Sequence, residues 1–146
     1  MPTIAHPHPP ALDAIIAVTE AAVFLREMLD RAVAPLGITG GQYTILRILK
    51  RAGVEGANRA EILRQVTDKK ADLTRQLDGL ERLGFVSRSR PASDRRVVIS
   101  AITPAGAAAL EALNPHFREM LSQLSALLSQ DHWETLTTLC RELKQP

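Results

Sequence analysis

Residues 58–106 constrain the fold of this chain more than any other part of the sequence. A helical segment over residues 69–83 runs directly into Gly84, and glycine ends a helix readily because it adopts left-handed backbone conformations without steric cost. Two short runs rich in β-branched residues follow, at 85–86 and 97–102, and they are separated by a turn with several arginines. This order predicts a helix, a sharp stop and then a basic β-hairpin.

A second helix is predicted just before this segment. Asn58 and Glu61 form a capping-box pattern that opens a short helix, and Thr67 with Asp68 supplies a turn and the next helix cap. The helix over residues 69–83 carries one apolar stripe, which comprises Leu73, Leu77, Leu80 and Leu83. A short helix, a tight turn and a longer helix followed by a basic hairpin are typical of a winged helix-turn-helix, which presents its second helix and its hairpin to DNA.

The flanking segments are predicted to be helical as well. Residues 11–34 have apolar positions at helical spacing, and Pro35 with Gly37 ends that helix. Thr39 and Gln42 form another capping box. The C-terminal helices are predicted to begin at Thr103–Pro104, to be interrupted at Asn114–Pro115, and to restart at a capping box of Asp131 and Glu134.

The first and last helices both carry apolar stripes that one small domain would struggle to cover. Pairing two copies through these helices would bury both stripes and give a two-fold dimer. The predicted fold class is mainly α with a small β-hairpin wing, a winged helix-turn-helix head with N- and C-terminal dimerisation helices. We divide the chain into a flexible tail (1–10) and a single domain (11–146), in which 39–103 form the head and 11–36 and 104–146 the dimerisation helices.

The overall composition does not indicate a nucleic-acid-binding protein, but the distribution of charge along the chain does. The 146-residue chain has a net charge of +2, but residues 58–100 contain ten basic and six acidic side chains, a local net charge of +4. Positive charge therefore collects in the predicted head, where phosphates would attract it. The proline-rich N-terminus lacks the pattern of a secretory signal and no apolar run is long enough for a membrane helix, so a cytoplasmic location is expected.

Four local strings make the sequence resemble the MarR (multiple antibiotic resistance regulator) family of bacterial transcription factors. They are Leu36-Gly-Ile-Thr-Gly-Gly-Gln42, Leu80-Glu-Arg-Leu-Gly-Phe-Val86, Asp94-Arg-Arg96 and Ile102-Thr-Pro-Ala-Gly106. The resemblance covers nearly the whole chain after the tail, and its specificity lies in the order and spacing of the strings. It implies a homodimer that binds double-stranded DNA at a pseudo-palindromic operator, usually represses a nearby gene, and is often released by a small-molecule effector.

The resemblance also implies which residues contact DNA. It places the start of the recognition helix at residues 68–75 and the wing along the adjacent minor groove, where narrow grooves attract arginine. Arg95 is the favoured wing contact, and Asp94 is expected to orient it while Arg95 and Arg96 point to opposite faces of the strand. The predicted DNA-binding residues are Lys69, Lys70, Thr74, Arg75, Arg88, Arg90, Arg95 and Arg96.

Other functions have weaker support in the sequence. Tyr43 and Arg47, one helical turn apart, are a candidate binding pair for an anionic effector, although such residues are more often core edge and surface. Cys140, the single cysteine, is a candidate redox switch but is expected to be buried and inert. No metal-ligand spacing, cofactor motif or catalytic constellation is present, so neither an enzyme nor a metal sensor is expected. A winged helix that binds protein instead of DNA is the remaining alternative, and the basic head argues against it.

Overall fold

The computed structural model describes residues 10–66 and 72–144. All of the predicted tail except Pro10, together with the predicted turn at Thr67 and Asp68, lies outside these residues. The described part is mainly helical, and its helices are α1 (Pro10–Val33), α2 (Gly40–Ala52), α3 (Arg59–Gln65), α4 (Leu73–Arg82), α5 (Pro104–Ala112), α6 (Asn114–Leu127) and α7 (Gln130–Glu142). Its strands are β1 (Ala57–Asn58), β2 (Val86–Ser89) and β3 (Ile99–Ile102).

The wing hairpin is confirmed, and a third strand joins it. The strands form one antiparallel sheet in the order β1-β3-β2, and β1 pairs Ala57 with Ser100. β1 leaves no signal in the sequence, because a two-residue strand has no periodicity to detect. Gly56 permits the pairing, since it has a positive φ and any Cβ there would overlap the carbonyl oxygen of Ser100. The second wing strand also begins at Ile99, two residues later than predicted.

Helix α2 forms the centre of the head. It begins at the predicted capping box, in which the Thr39 hydroxyl accepts from Gln42 N while the Gln42 side chain accepts from Thr39 N. Four of its apolar side chains are almost completely buried, namely Ile45, Leu46, Ile48 and Leu49. Burial of each such side chain contributes about 1.5–3 kcal/mol relative to exposure, so this helix anchors the elements packed around it.

Helix α4 begins later than predicted. Its N-cap is Asp72, whose carboxylate accepts from Arg75 N at 3.1 Å, and the first helical residue is Leu73. The prediction of one continuous helix over residues 69–83 is therefore wrong, because Asp72 has non-helical backbone angles, whereas a start of the recognition helix within residues 68–75 agrees with Leu73. Leu73, Leu77 and Leu80 are buried as expected, but Leu83 is largely exposed because the helix ends there and the chain turns at Gly84.

A compact junction joins the end of α4 to the start of α5. The Thr103 hydroxyl donates to the Gly84 carbonyl at 2.6 Å and accepts from Gly106 N at 3.0 Å, and the Thr103 backbone N donates to the Phe85 carbonyl at 3.0 Å. Gly106 lies so close to Phe85 that a Cβ would overlap the Phe85 carbonyl oxygen. The strings at residues 80–86 and 102–106, which were two of the four that resemble the MarR family, therefore pack against each other in the fold.

The C-terminal helices run α5, α6 and α7, with the predicted break at Asn114. The predicted capping box of Asp131 and Glu134 is wrong. Ser129 is the N-cap instead, and its hydroxyl accepts from His132 N at 3.3 Å, which places Asp131 in the first helical turn. Helix α1 packs against α6 and α2. Within residues 10–66 and 72–144, no helix is both long and apolar enough to span a membrane.

Candidate nucleic-acid interface

The first turn of α4 presents polar side chains to solvent. Thr74 and Arg75 are both exposed, while Leu73 beside them is buried and fixes the rotation of the helix. The Thr74 hydroxyl accepts a hydrogen bond from Arg59 Nη1 at 3.0 Å. The arrangement places two guanidinium groups near the start of α4, which is the end that a recognition helix usually directs at base edges.

Arg59 was not among the residues predicted to contact DNA. It is the first residue of α3 and is exposed, and its hydrogen bond to Thr74 connects it to the described part of the site. The sequence carried no signal for this contact beyond the general excess of basic residues. Lys69 and Lys70, two of the predicted DNA contacts, lie outside the described residues.

The tip of the wing has an ordered backbone. Asp94 Oδ1 accepts from Arg96 N at 3.0 Å, and Arg90 Nη1 donates to the Arg95 carbonyl at 2.9 Å. Two successive turns, closed by Asp94 N to Pro91 O and by Val97 N to Asp94 O, complete the tip. Asp94 therefore holds the backbone of the wing through Arg96 N.

The guanidinium groups of Arg95 and Arg96 project from this ordered tip. Both residues are exposed, and within the described residues neither side chain has an ion-pair or hydrogen-bond partner. They lie in the turn that precedes β3, so the expectation that strand alternation would send them to opposite faces does not apply. An ordered backbone with two unneutralised cations is suited to binding phosphates in a groove.

Arg88 differs from the other predicted contacts because its charge is already engaged. It lies on β2, and its Nη2 donates to Asp78 Oδ1 at 2.6 Å while its Nε donates to Glu81 Oε2 at 2.9 Å. Glu81 and then Asp78, through these hydrogen bonds, raise the pKa of the Arg88 guanidinium above its ordinary value. The side chain is therefore a permanent cation shared between two carboxylates of α4.

Of the predicted effector pair, Tyr43 packs against α6 and Arg47 is exposed beside it. The Tyr43 ring stacks on Phe117 of α6 with centroids 4.7 Å apart, and the Arg47 guanidinium lies 5.8 Å from the centroid of the Tyr43 ring. A separate cleft of about 820 Å³ lies between α1, the start of α2, the end of α3 and the start of α4. Neither Tyr43 nor Arg47 lines this cleft.

The cleft has a mixed lining in the described part of the chain. Its apolar lining includes Leu25, Leu29 and Ile45, and the charged side chains among its described residues are Arg26 and Asp30 on α1. Asp30 Oδ1 accepts from Gly40 N at 2.6 Å, which fixes that carboxylate against the start of α2. Leu73 and Gln76 of α4 also line the cleft, so a molecule bound there would touch the recognition helix directly.

Cys140 is half-buried on α7 rather than fully buried as expected. Across the two described stretches, no cluster of three or more His, Cys, Asp or Glu side chains could hold a metal ion.

The fold and the site together define a winged helix-turn-helix protein with a basic head. The model of the MarR family matches residues 38–98. The multiple antibiotic resistance protein MarR of Salmonella typhimurium is 30% identical over 117 residues, which cover 80% of each chain. The HTH-type transcriptional repressor YetL of Bacillus subtilis is 29% identical over 119 residues, covering 81% of this chain and 69% of the relative.

Solved structures agree with these relatives. The transcriptional repressor CouR, bound to a 23-mer DNA duplex, superimposes with a TM-score of 0.78 at 27% identity and covers 88% of this chain and 90% of its own. A MarR variant from E. coli in complex with operator DNA gives a TM-score of 0.77 at 25% identity, with 93% and 95% of the two chains covered. This chain belongs to the MarR family, whose members are transcriptional regulators and not enzymes.

Proposed function

We propose that this protein binds a pseudo-palindromic operator as a homodimer in the cytoplasm, represses a nearby gene, and is released by a small-molecule effector. The observation that carries the DNA-binding part is the wing tip. Its backbone is ordered by Asp94 and Arg90, while the Arg95 and Arg96 side chains project from it without partners among the described residues. Arg75 at the start of α4 supplies a second cationic reader, able to form a bidentate contact with guanine or phosphate.

Several relatives support this proposal through what they bind. CouR is a transcriptional repressor bound to a DNA duplex, and the E. coli MarR variant is complexed with operator DNA. YetL is named as a transcriptional repressor, which favours repression over activation here. Dimerisation is supported by the apolar residues that α1, α6 and α7 leave exposed in a single copy. Two heads related by a two-fold axis would meet half-sites about one helical turn apart, roughly 10 base pairs.

The direct test is fluorescence anisotropy of the purified protein on DNA from upstream of its own gene, compared with scrambled DNA across a salt series. We expect selective binding to the upstream DNA that weakens steeply with salt, because phosphate contacts release counterions. Equally weak binding to both DNAs, and to upstream DNA of the neighbouring genes, would contradict the proposal and favour a protein partner for the winged helix.

Replacing Arg95 with alanine is expected to weaken operator binding by about 1 kcal/mol or more, roughly five-fold at least, while leaving the fold intact. The physical reason is the loss of an exposed cation from the wing tip, where the side chain supports no contact within the described residues. Anisotropy titrations and thermal melts would measure the two effects separately.

Arg118→Ala is the matched control for this prediction. Arg118 is an exposed arginine on α6, outside the head, so its removal lowers the net charge by the same amount. Size exclusion would verify that the Arg118→Ala variant keeps the oligomeric state of the natural chain, because α6 belongs to the proposed dimer interface. If Arg95→Ala and Arg118→Ala have the same affinity for the operator, the position of Arg95 on the wing is not important for DNA binding and only the net charge of the protein matters.

The cleft between α1 and α4 is our candidate effector site. Its apolar side chains suit a largely apolar molecule, and Arg26 offers a cation for an acidic group because Asp30 is already bonded to Gly40 N. An occupant would contact Leu73 and Gln76 and thereby displace the recognition helix from its DNA-binding position. Release by this route needs no long-range conformational change.

Arg26→Ala is expected to bind the operator normally but to require about ten-fold more of an acidic effector for release, since a charge-assisted hydrogen bond contributes about 1.5–3 kcal/mol. An anisotropy screen of small aromatic and aliphatic acids would first identify a releasing compound, and its dose–response curve would then be compared between the variant and the natural chain. An unchanged curve would place the effector elsewhere, and Arg47→Ala then tests the alternative site beside Tyr43.

A further inference from the structure

We propose that Arg88 is a positioning residue that locks the wing to the recognition helix, and that it does not itself contact DNA. This inference rests on the proposed function, because the lock matters only if α4 and the wing read DNA together. Its structural basis is a single guanidinium on β2 that bridges two carboxylates one helical turn apart on α4, Asp78 and Glu81.

The geometry explains why arginine is needed at this place. Arg88 uses Nη2 toward Asp78 and both Nε and Nη2 toward Glu81, so its planar fork spans the two acids. A lysine has one ammonium group without fixed directions and cannot reproduce this arrangement. The Arg88 side chain is 27% exposed, against 48% and 41% for the side chains of Asp78 and Glu81, so the pair of bridges is partly shielded from solvent.

The position of Arg88 on the strand determines what the lock controls. Arg88 lies opposite Ser100 in the pairing of β2 with β3, and Ser100 is buried. An interaction that fixes β2 therefore also fixes the second wing strand. At the base of the hairpin, the turn at Gly84, the Thr103 junction and the packing of Val86 in the core with Leu80 also hold the wing to α4. β1 holds β3 at Ile99 and Ser100, so without the Arg88 bridges the part of the hairpin beyond Ser89 and Ile99 could pivot about that point.

A rigid wing has a specific consequence for DNA recognition. Readers in the major groove and in the adjacent minor groove contribute together only if their separation matches the DNA, and the minor groove is read chiefly through its width and A·T content. The lock should therefore control discrimination at the flanking base pairs under the wing. Discrimination at the central base pairs under α4 should not depend on it.

The decisive variant is the isosteric double replacement Asp78→Asn with Glu81→Gln, compared with Arg88→Gln. If Arg88 contacts DNA, removing the acids frees it, and binding should become tighter with flank discrimination kept or increased. If Arg88 is a lock, discrimination between A·T and G·C flanks should fall by about three-fold or more in both variants, because both break the bridges between β2 and α4. Overall affinity should move in opposite directions, since the double replacement adds positive charge that attracts phosphates regardless of sequence and Arg88→Gln removes it. The triple variant should then behave like Arg88→Gln alone, since the residues act as one unit.

Glu111→Gln is the matched control, because it breaks the Lys50–Glu111 ion pair, which joins α2 to α5 on the surface of the head. It should leave flank discrimination unchanged. Arg88→Lys should discriminate between the flanks better than Arg88→Gln but less well than the natural chain. This comparison separates the contribution of the guanidinium geometry from that of the positive charge. Unchanged flank discrimination in the Asp78→Asn/Glu81→Gln variant overturns the proposal.

Hydrogen exchange on the free protein tests the lock independently of DNA. Amides of Ser87 and Ser89 on β2 should exchange on the order of ten-fold faster in the Asp78→Asn/Glu81→Gln variant, while amides of the buried part of α2 keep their protection. Faster wing exchange with no selective DNA binding by the natural chain would mean that the lock exists and the proposed function is wrong. Unchanged wing exchange would mean that the lock itself is wrong.

Discussion

Replacing Gly106 with alanine is expected to lower the free energy of unfolding by about 3 kcal/mol. A Cβ at this position would overlap the Phe85 carbonyl oxygen and lie 2.9 Å from Ile102 Cγ1. The backbone of Phe85 cannot move aside, because its N donates to Leu80 O and its carbonyl accepts from Thr103 N. The added methyl group must therefore open the junction between α4, the wing and α5.

Gly79→Ala is the matched comparison, since it makes the same substitution inside α4. There the new Cβ would lie 2.6 Å from Gln42 Nε2, which is the end of a flexible side chain. Gln42 can turn away at the cost of its 3.3 Å hydrogen bond to Gln76 O and its hydrogen bond from Thr39 N, and alanine is favoured over glycine within a helix by roughly 0.5–1 kcal/mol, which offsets part of that loss. We expect Gly79→Ala to stay within about 1 kcal/mol of the natural chain.

Urea unfolding at one protein concentration would measure both variants, since the stability of a dimer depends on concentration. An equal loss in the two variants would show that the rigidity of the Phe85 backbone does not decide the outcome. A stable Gly106→Ala variant would show that the junction can adapt.

The second large effect is expected at the apolar face of α1. Replacing Ile15 with glutamate should convert a dimer into a monomer and reduce operator affinity by at least about 100-fold, because linked half-site binding typically gains 10² to 10⁴ in avidity. Ile15 is 63% exposed in the single chain, and the buried residues of α1 (Met28, Ala32 and Val33) all lie near its C-terminal end.

The C-terminal helices show the same incomplete burial. No residue of α6 or α7 is fully buried in a single copy, and Leu121, Leu139 and Leu143 are exposed. Many large apolar side chains exposed on neighbouring helices often mark an interface between proteins. A second copy that lies against α1, α6 and α7 would bury them, and a carboxylate placed in that interface would lose its hydration without gaining a partner.

Val54→Glu is the control, because Val54 is 96% exposed and lies in the turn after α2, outside the proposed interface. Light scattering after size exclusion would give the mass of each variant at micromolar concentration, and anisotropy would give the affinity for the full operator. A natural chain that is already monomeric, or an Ile15→Glu variant that remains dimeric with full affinity, would contradict this prediction.

Local chemistry explains which sequence predictions were confirmed. The capping boxes at Thr39 with Gln42 and at Asn58 with Glu61 are both formed, because their hydrogen bonds join residues three apart and depend little on the rest of the fold. The same rule failed at Asp131, where Ser129 two residues earlier caps the helix. Residues of similar capping ability a few positions apart compete, and packing selects between them.

The start of α4 shows the same competition at the site itself. Thr67, Asp68 and Asp72 are all capable caps, and the structure has Asp72 as the cap of the helix that begins at Leu73. Burial of Leu73 in the core accompanies this choice, and it also determines that Thr74 and Arg75 face solvent. Periodicity alone could not separate these alternatives, since a helix starting at residue 69 keeps the same apolar stripe.

The sequence by itself determined the succession of helices, the positions of the breaks at Gly84 and Asn114, and the collection of positive charge in the head. These depend on residue type and on spacings of a few residues, which local physics controls. Only the tertiary structure decided that Arg88 bonds to two acids, that Asp94 holds the wing backbone, and that β1 joins the sheet. Each of these contacts depends on how the chain turns at Gly84 or packs across the sheet, so the partners meet only after the fold has formed.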